Sequence, residues 1–238
     1  MVRQNDRDRK LNFSVFFSVI FNGTAWGIFE ATVGYILHEI SFGYSWLIWC
    51  PVASFFMANV YRRTKRASAV FFTGLLCASV KMLNLLLPVR VDRVINPAIS
   101  IVLEALVMSL VIIAARKFLG EKIKSPIFGG LAALSANTLW RLMFILYLLL
   151  LAPDWMREIS VISSTEKFLP FFIYQNLITS LIISIGFYFR KQLFAPIKAL
   201  EEKISRAALR LPRKALLSVK IFAAAALLAL DILLELLL

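Results

Sequence analysis

Residues 97–115, PAISIVLEALVMSLVIIAA, decide the fold class of this chain. The stretch holds one ionisable side chain, Glu104, and is bounded by Arg93 on one side and Arg116 on the other. At about 1.5 Å of rise per residue, a helix of this length nearly covers the roughly 30 Å of hydrocarbon in a bilayer. A helix that is apolar all round has no water-facing side, so it needs lipid as its solvent.

Working outward, the same pattern recurs at Phe13–His38, Tyr44–Tyr61, Ala67–Leu87, Pro126–Leu151 and Phe168–Phe189, which gives six spans. A further apolar run, Leu216–Leu238, carries Asp231 and Glu235 one helical turn apart. The composition agrees: 60% of the 238 residues are hydrophobic and 17% charged, with mean hydropathy +0.79. No single soluble core of this length would hide that apolar content. The expectation is an all-α integral membrane protein, a bundle of six transmembrane helices with a cytoplasmic amphipathic helix and a seventh apolar helix at the C-terminus. In domain terms, residues 1–190 form the transmembrane domain, 191–214 a basic amphipathic segment and 215–238 the last apolar helix.

The net charge of +13 raises the question of a nucleic-acid partner, and the placement of the 27 Lys and Arg answers it. Taken by loop, 21 lie before the first span, after the second, after the fourth and after the sixth; 4 lie in the opposite loops, and Lys81 and Arg141 fall inside spans. That bias is the positive-inside signature and places the N-terminus in the cytoplasm, with the chain multi-pass in the cell (inner) membrane. It accounts for the charge without nucleic acid. The first ten residues are basic and the apolar run behind them exceeds a cleavable signal, so the segment is read as a retained anchor. Cys50 and Cys77 lie within spans at no metal-ligand spacing and are read as packing residues.

After the sixth span, Leu193, Phe194, Ile197, Leu200 and Ile204 recur at helical spacing with Lys198, Lys203, Arg206 and Arg210 on other faces. This pattern fits a helix lying on anionic membrane lipid.

Ionisable groups inside spans are the candidate functional residues, because a charge at mid-bilayer costs several kcal/mol unless paired or hydrated. Glu30, Lys81, Glu104 and Arg141 are the four, with Asn84 among the accompanying polar groups. Counted from the outer helix ends, Lys81 and Glu104 sit about 10 Å deep, Glu30 about 12 Å and Arg141 about 15 Å. Beside a proton or ion relay through Glu30 and Glu104, two readings are open. The charges pair with one another and fix helix packing, or they line an outward cavity in which Trp26 and Trp140 supply stacking surface for a small solute. His38, the single histidine, is a poor metal ligand on its own and is read as interfacial; no metal or cofactor is expected. Gly23, Gly27 and Ala31 make a flat stripe along the first span on which another helix can approach closely.

The segment Lys81-Met-Leu-Asn84-Leu-Leu-Leu-Pro88 leading to Ile95-Asn-Pro-Ala98 and Glu104-Ala105, with six short spans and a small-residue stripe on the first, resembles the substrate-binding S components of energy-coupling factor transporters. The resemblance covers roughly residues 11 to 190. It implies capture of a vitamin or similar micronutrient from outside and association with a transmembrane coupling subunit and two cytoplasmic ATPases. It also implies that Gly23, Gly27 and Ala31 face that subunit, and that Glu30, Lys81, Asn84, Glu104 and Arg141 line the outward pocket. The chain contains no nucleotide-binding loop, metalloprotease motif or nucleophile elbow, so no enzymatic activity is expected. Two further readings are a structural or assembly membrane protein with buried ion pairs, and a self-sufficient ion-coupled carrier.

Overall fold

The computed structural model describes residues 2–39, 43–86, 90–208 and 212–237. Leu87 and Pro88 of the resemblance segment and Arg210 of the amphipathic pattern lie outside them, as does the side chain of His38. Among the described residues the chain is helical throughout, without strands. The helices are α1 (Val2–Glu39), α2 (Trp46–Thr64), α3 (Ala67–Lys81), α4 (Asp92–Phe118), α5 (Pro126–Leu150), α6 (Asp154–Ile159), α7 (Thr165–Leu169), α8 (Gln175–Tyr188), α9 (Arg190–Ala208) and α10 (Arg213–Leu237). A 3-10 turn, Met82–Leu86, extends α3, and a π-helical turn, Pro170–Tyr174, joins α7 to α8.

The joints follow from local chemistry. Lys65 takes a left-handed conformation (φ 56°) and its N–H bonds the Tyr61 carbonyl at 2.8 Å, which stops α2 and reverses the chain straight into α3. Between α4 and α5 Gly120 holds φ 50°, where a side chain would be strained. Ser125 then caps α5, accepting from the Phe128 N–H, and Pro126 occupies the first helical position, where its missing N–H costs nothing. Pro170 cannot donate into the helix that runs through it, and the backbone widens there into the π turn.

Among the described residues five stretches are long and apolar enough to cross a membrane: Ala67–Leu86, Asp92–Phe118, Pro126–Leu150, Thr165–Tyr188 and Leu217–Leu234. The chain is thus a multi-pass membrane protein by length and composition. The last of the five is the seventh apolar run of the sequence. The helices α1 and α2, expected as the first two spans, are not among the five; they carry Asn22, Thr24, Glu30, Pro51, Asn59 and Arg62 along their length, which lowers their mean hydropathy.

The bundle is sided as a lipid-immersed protein should be. On α5, Ala133, Ala136, Trp140, Phe144 and Leu148 are buried, while Leu131, Leu139, Leu142, Leu146 and Leu149 on the other face are exposed. Both faces are apolar, and the polar residues Asn137 and Arg141 are on the inside. Two clusters form the core. One, around Trp26, Met57, Val70 and Cys77, joins α1 to α4; the other, around Cys50, Trp140, Phe144, Leu148, Met156 and Phe171, ties α5 to α2, α4, α6 and the π turn. Small residues permit the close contacts: Gly74 of α3 meets Ala105 of α4, and Gly129 of α5 meets the Phe187 ring of α8. At the basic end, Phe194 of α9 stacks on Phe55 of α2 with ring centroids 5.3 Å apart, and the Arg62 guanidinium lies 5.4 Å from the same ring.

Candidate functional site

Arg141 is the centre of the polar interior. It is 1% exposed and reaches acceptors on three other segments as well as its own. Its Nε donates to the carbonyl of Phe171 at 3.0 Å, in the π turn. Nη1 donates to the side-chain oxygen of Asn137 at 2.8 Å and to the Asn137 carbonyl at 3.3 Å, and Nη2 reaches Oγ1 of Thr179 at 3.4 Å and Sγ of Cys50 at 3.9 Å. The guanidinium also lies 4.6 Å from the Trp140 ring centre and 5.4 Å from that of Phe171.

The surrounding groups fix the orientation of Asn137. Its oxygen receives Trp140 Nε1 at 2.9 Å as well as Arg141, and its Nδ2 donates to Thr179 at 2.7 Å and Ser180 at 3.0 Å. With donors on one edge and hydroxyls on the other, only one placement of the amide satisfies all four contacts. A polar seam between α5 and α8 continues with Asn176 donating to Thr138 at 2.9 Å. In hydrocarbon such contacts replace water as the partners of every polar group.

No ion pair reaches Arg141 among the described residues. Glu104 of α4 acts on it from a distance, and Glu30 in turn acts on Glu104. A cavity of about 20 Å³ lies beside Glu104, lined also by Cys50, Ser54, Asn137 and Trp140. That is the room of one water molecule.

The remaining expected residues form a second group. Trp26 is fully buried and donates to Oε1 of Glu30 at 3.2 Å; its ring stacks on Phe56, 6.4 Å away. Lys81 closes α3 and Asn84 lies in the 3-10 turn after it, and α10 packs against both segments and along α1. The small-residue stripe is covered from within the chain: a Cβ at Gly23 would meet Leu76 of α3 at 2.8 Å, and one at Gly27 would fall 2.5 Å from Oδ2 of Asp231. Asp231 itself is 0% exposed, and Ala31 is 4% exposed.

The structure therefore places Trp140 and Arg141 together, and Trp26 with Glu30, and the cavity of about 20 Å³ beside Glu104 and Trp140 is not ligand-sized space. Such space occurs at one end of the bundle, where a pocket of about 440 Å³ is bounded by the start of α4, the end of α5, the α6–α7 connection and the π turn. Phe144, Phe171, Ile159, Val161 and Pro170 supply its apolar walls, and Asn96, Ser160, Glu166, Lys167 and Gln175 its polar groups. The α6–α7 connection that borders it is ordered: Met156 is buried, Arg157 Nε bonds the Ala152 carbonyl at 2.9 Å, and Ser160 Oγ donates to the Arg157 carbonyl at 2.8 Å. Phe171 links the pocket to the interior, since its ring lines the one and its carbonyl binds Arg141 in the other.

Sequence reasoning missed Phe171, met Asn96 only within the resemblance segment and Gln175 only as a further polar group inside a span, and noted Asp231 without a role. Pro170 was the available signal, because a proline inside an apolar span marks a backbone departure.

Comparison with protein-family models, curated proteins and solved structures yields no match. The fold and its interior define an all-helical multi-pass membrane protein with a polar layer buried in its core.

Proposed function

We propose that the chain is the solute-binding membrane subunit of a multi-component importer, taking a small molecule from the outer side. The observation that carries the reading is the pocket of about 440 Å³, within the range of small-molecule sites and bounded by aromatic and aliphatic residues with a few polar groups. It lies at the end of the bundle whose loops hold 4 of the 27 basic residues, the outer end by the charge rule. On this reading α1 and α2 cross with the five apolar spans, six helices form the body, α10 is a seventh, and the N-terminus is cytoplasmic in the cell membrane. The chain has no nucleotide-binding loop, so uptake against a gradient draws its energy from a partner or an ion gradient, and on this reading from a coupling subunit with ATPases.

A second reading, a structural membrane protein, is favoured by one feature. Arg141 is enclosed and bonded on all three of its nitrogens, so it holds helices together whether or not anything binds. The two readings separate in a purification from the native host in mild detergent, analysed by mass spectrometry for small molecules and proteins. Wild type should retain a small molecule and ATPase partners, and Ile159→Trp, which fills the pocket, should lose the small molecule alone. A chain that carries neither in either form is a structural protein.

A further inference from the structure

Taking the pocket as a solute site, we propose that its ligand is an uncharged, planar ring compound bearing an N–H or O–H donor, and that organic cations are rejected. Three observations combine. Phe144 and Phe171, largely buried with ring centres 6.1 Å apart and planes tilted by 53°, border the pocket and offer an aromatic edge to a flat ring, with Ile159, Val161 and Pro170 as further apolar lining.

The second concerns charge. Aromatic walls attract organic cations through the negative ring face. Here that capacity is already taken: the Arg141 guanidinium lies 5.4 Å from the Phe171 ring centre, buried behind the wall, with its Nε on the Phe171 carbonyl. A cation against the same ring would meet a fixed like charge through a medium that screens weakly. At the rim Glu166 and Lys167 cancel, so neither sign is drawn in by a net field.

The third is Asn96. It lines the pocket from the first turns of α4, and its Oδ1 is buried with no hydrogen-bond partner among the described residues. An unsatisfied buried amide oxygen costs about 1–3 kcal/mol. Rotation of the amide about its last torsion turns that acceptor toward a donor in the pocket, and Gln175, which lines the same pocket, offers both a donor and an acceptor.

The test uses two probes of nearly equal shape, nicotinamide and its cationic N-methyl derivative 1-methylnicotinamide, titrated by calorimetry into the full-length protein in detergent. Nicotinamide is expected to bind saturably, 1-methylnicotinamide at least about tenfold more weakly, a gap of about 1.4 kcal/mol. Asn96→Leu should weaken nicotinamide about tenfold or more and leave the thermal unfolding temperature unchanged or raised, since it removes an unsatisfied group. Ile159→Trp reports on the site itself. If the cation binds as well as the neutral probe and Ile159→Trp abolishes both, the pocket is a solute site and the proposed ligand class is wrong. If neither probe binds, or Ile159→Trp leaves binding unchanged, both the class and the pocket reading fall.

Discussion

Two buried charges in this protein are accommodated in different ways. Arg141, in the middle of α5, is surrounded by acceptors drawn from Asn137, Thr179, Cys50 and the Phe171 carbonyl, and two aromatic rings close over it. Asp231, on α10, is equally hidden, but the shape of its contact is set by a side chain that is missing, at Gly27 of α1. The first arrangement is a network built into the centre of the bundle. The second is a fit between a protruding carboxylate and a notch, on a helix of which only 6% of the membrane-spanning window is buried. Loss of Arg141 should therefore be felt by the whole bundle, and loss of the notch by α10 alone.

The largest effect is expected from Arg141→Ala. It takes a donor from the Phe171 carbonyl and the Thr179 hydroxyl in a water-free interior and leaves the Asn137 oxygen with Trp140 Nε1 as its side-chain donor, and hydrogen bonds to a charged group are worth about 1.5–3 kcal/mol each before compensation. A loss of about 3–5 kcal/mol, read from unfolding in denaturing detergent, is the expected result. Lysine should not restore it, because a single ammonium cannot span acceptors on α2, α5, α8 and the π turn. A stable Arg141→Ala protein would remove the distinction between the two sites, since neither charge would then be structural.

Next comes Gly27→Leu. The added side chain falls on the Asp231 carboxylate and should push α10 off α1, at a cost of about 1–3 kcal/mol. Hydrogen exchange should rise across α10 while α3 to α8 keep their protection. Adding Asp231→Ala should return part of the loss, because the smaller residue reopens the space; additivity of the two changes would mean that the residues do not meet.

This contrast was half legible in the sequence. Long apolar runs need only length and composition, so the helices and the lipid-facing character could be read directly, as could the presence of Glu30, Lys81, Glu104 and Arg141 within them. The partners of those charges could not. Arg141 is satisfied mainly by neutral oxygens on α5, α8 and a π turn, and no spacing rule links Thr179 or the Phe171 carbonyl to position 141. The stripe of Gly23, Gly27 and Ala31 was visible, but a flat surface does not say which helix lies on it, and here Leu76 and Asp231 of the same chain do. The pocket was invisible for a related reason: its walls come from residues 96, 144, 159–161, 166–167, 170–171 and 175, brought together by the turn at Pro170. A charge in a span is conspicuous, whereas a cavity between neutral residues leaves no mark on composition.

A smaller effect tests how far the Arg141 network depends on its individual members. Thr179→Val keeps the shape and removes a hydroxyl that accepts from Asn137 and Arg141 and donates to the Gln175 carbonyl. About 1–2 kcal/mol of destabilisation is expected in the same unfolding assay. A loss as large as that of Arg141→Ala would mean that the network acts as one indivisible unit, a stronger form of the contrast with Asp231.

The smallest effect should come from Cys50→Ala. The Arg141–Cys50 contact is 3.9 Å long and sulfur is a weak acceptor, so the bond itself contributes little. The thiol does fill space, however, beside the cavity of about 20 Å³ that also touches Glu104 and Asn137. Removing it enlarges that cavity in a polar setting, where a second water can enter and take over the Arg141 contact. The lost packing and the gained hydration oppose one another, and the net change should stay below about 1 kcal/mol. Cys50→Leu reverses the geometry by filling the cavity and excluding water between Glu104 and Arg141. If Leu destabilises the protein more than Ala does, water in that cavity is part of how the Arg141 layer balances its charge; if Leu stabilises it, the layer is complete without water and depends on neutral hydrogen bonds alone.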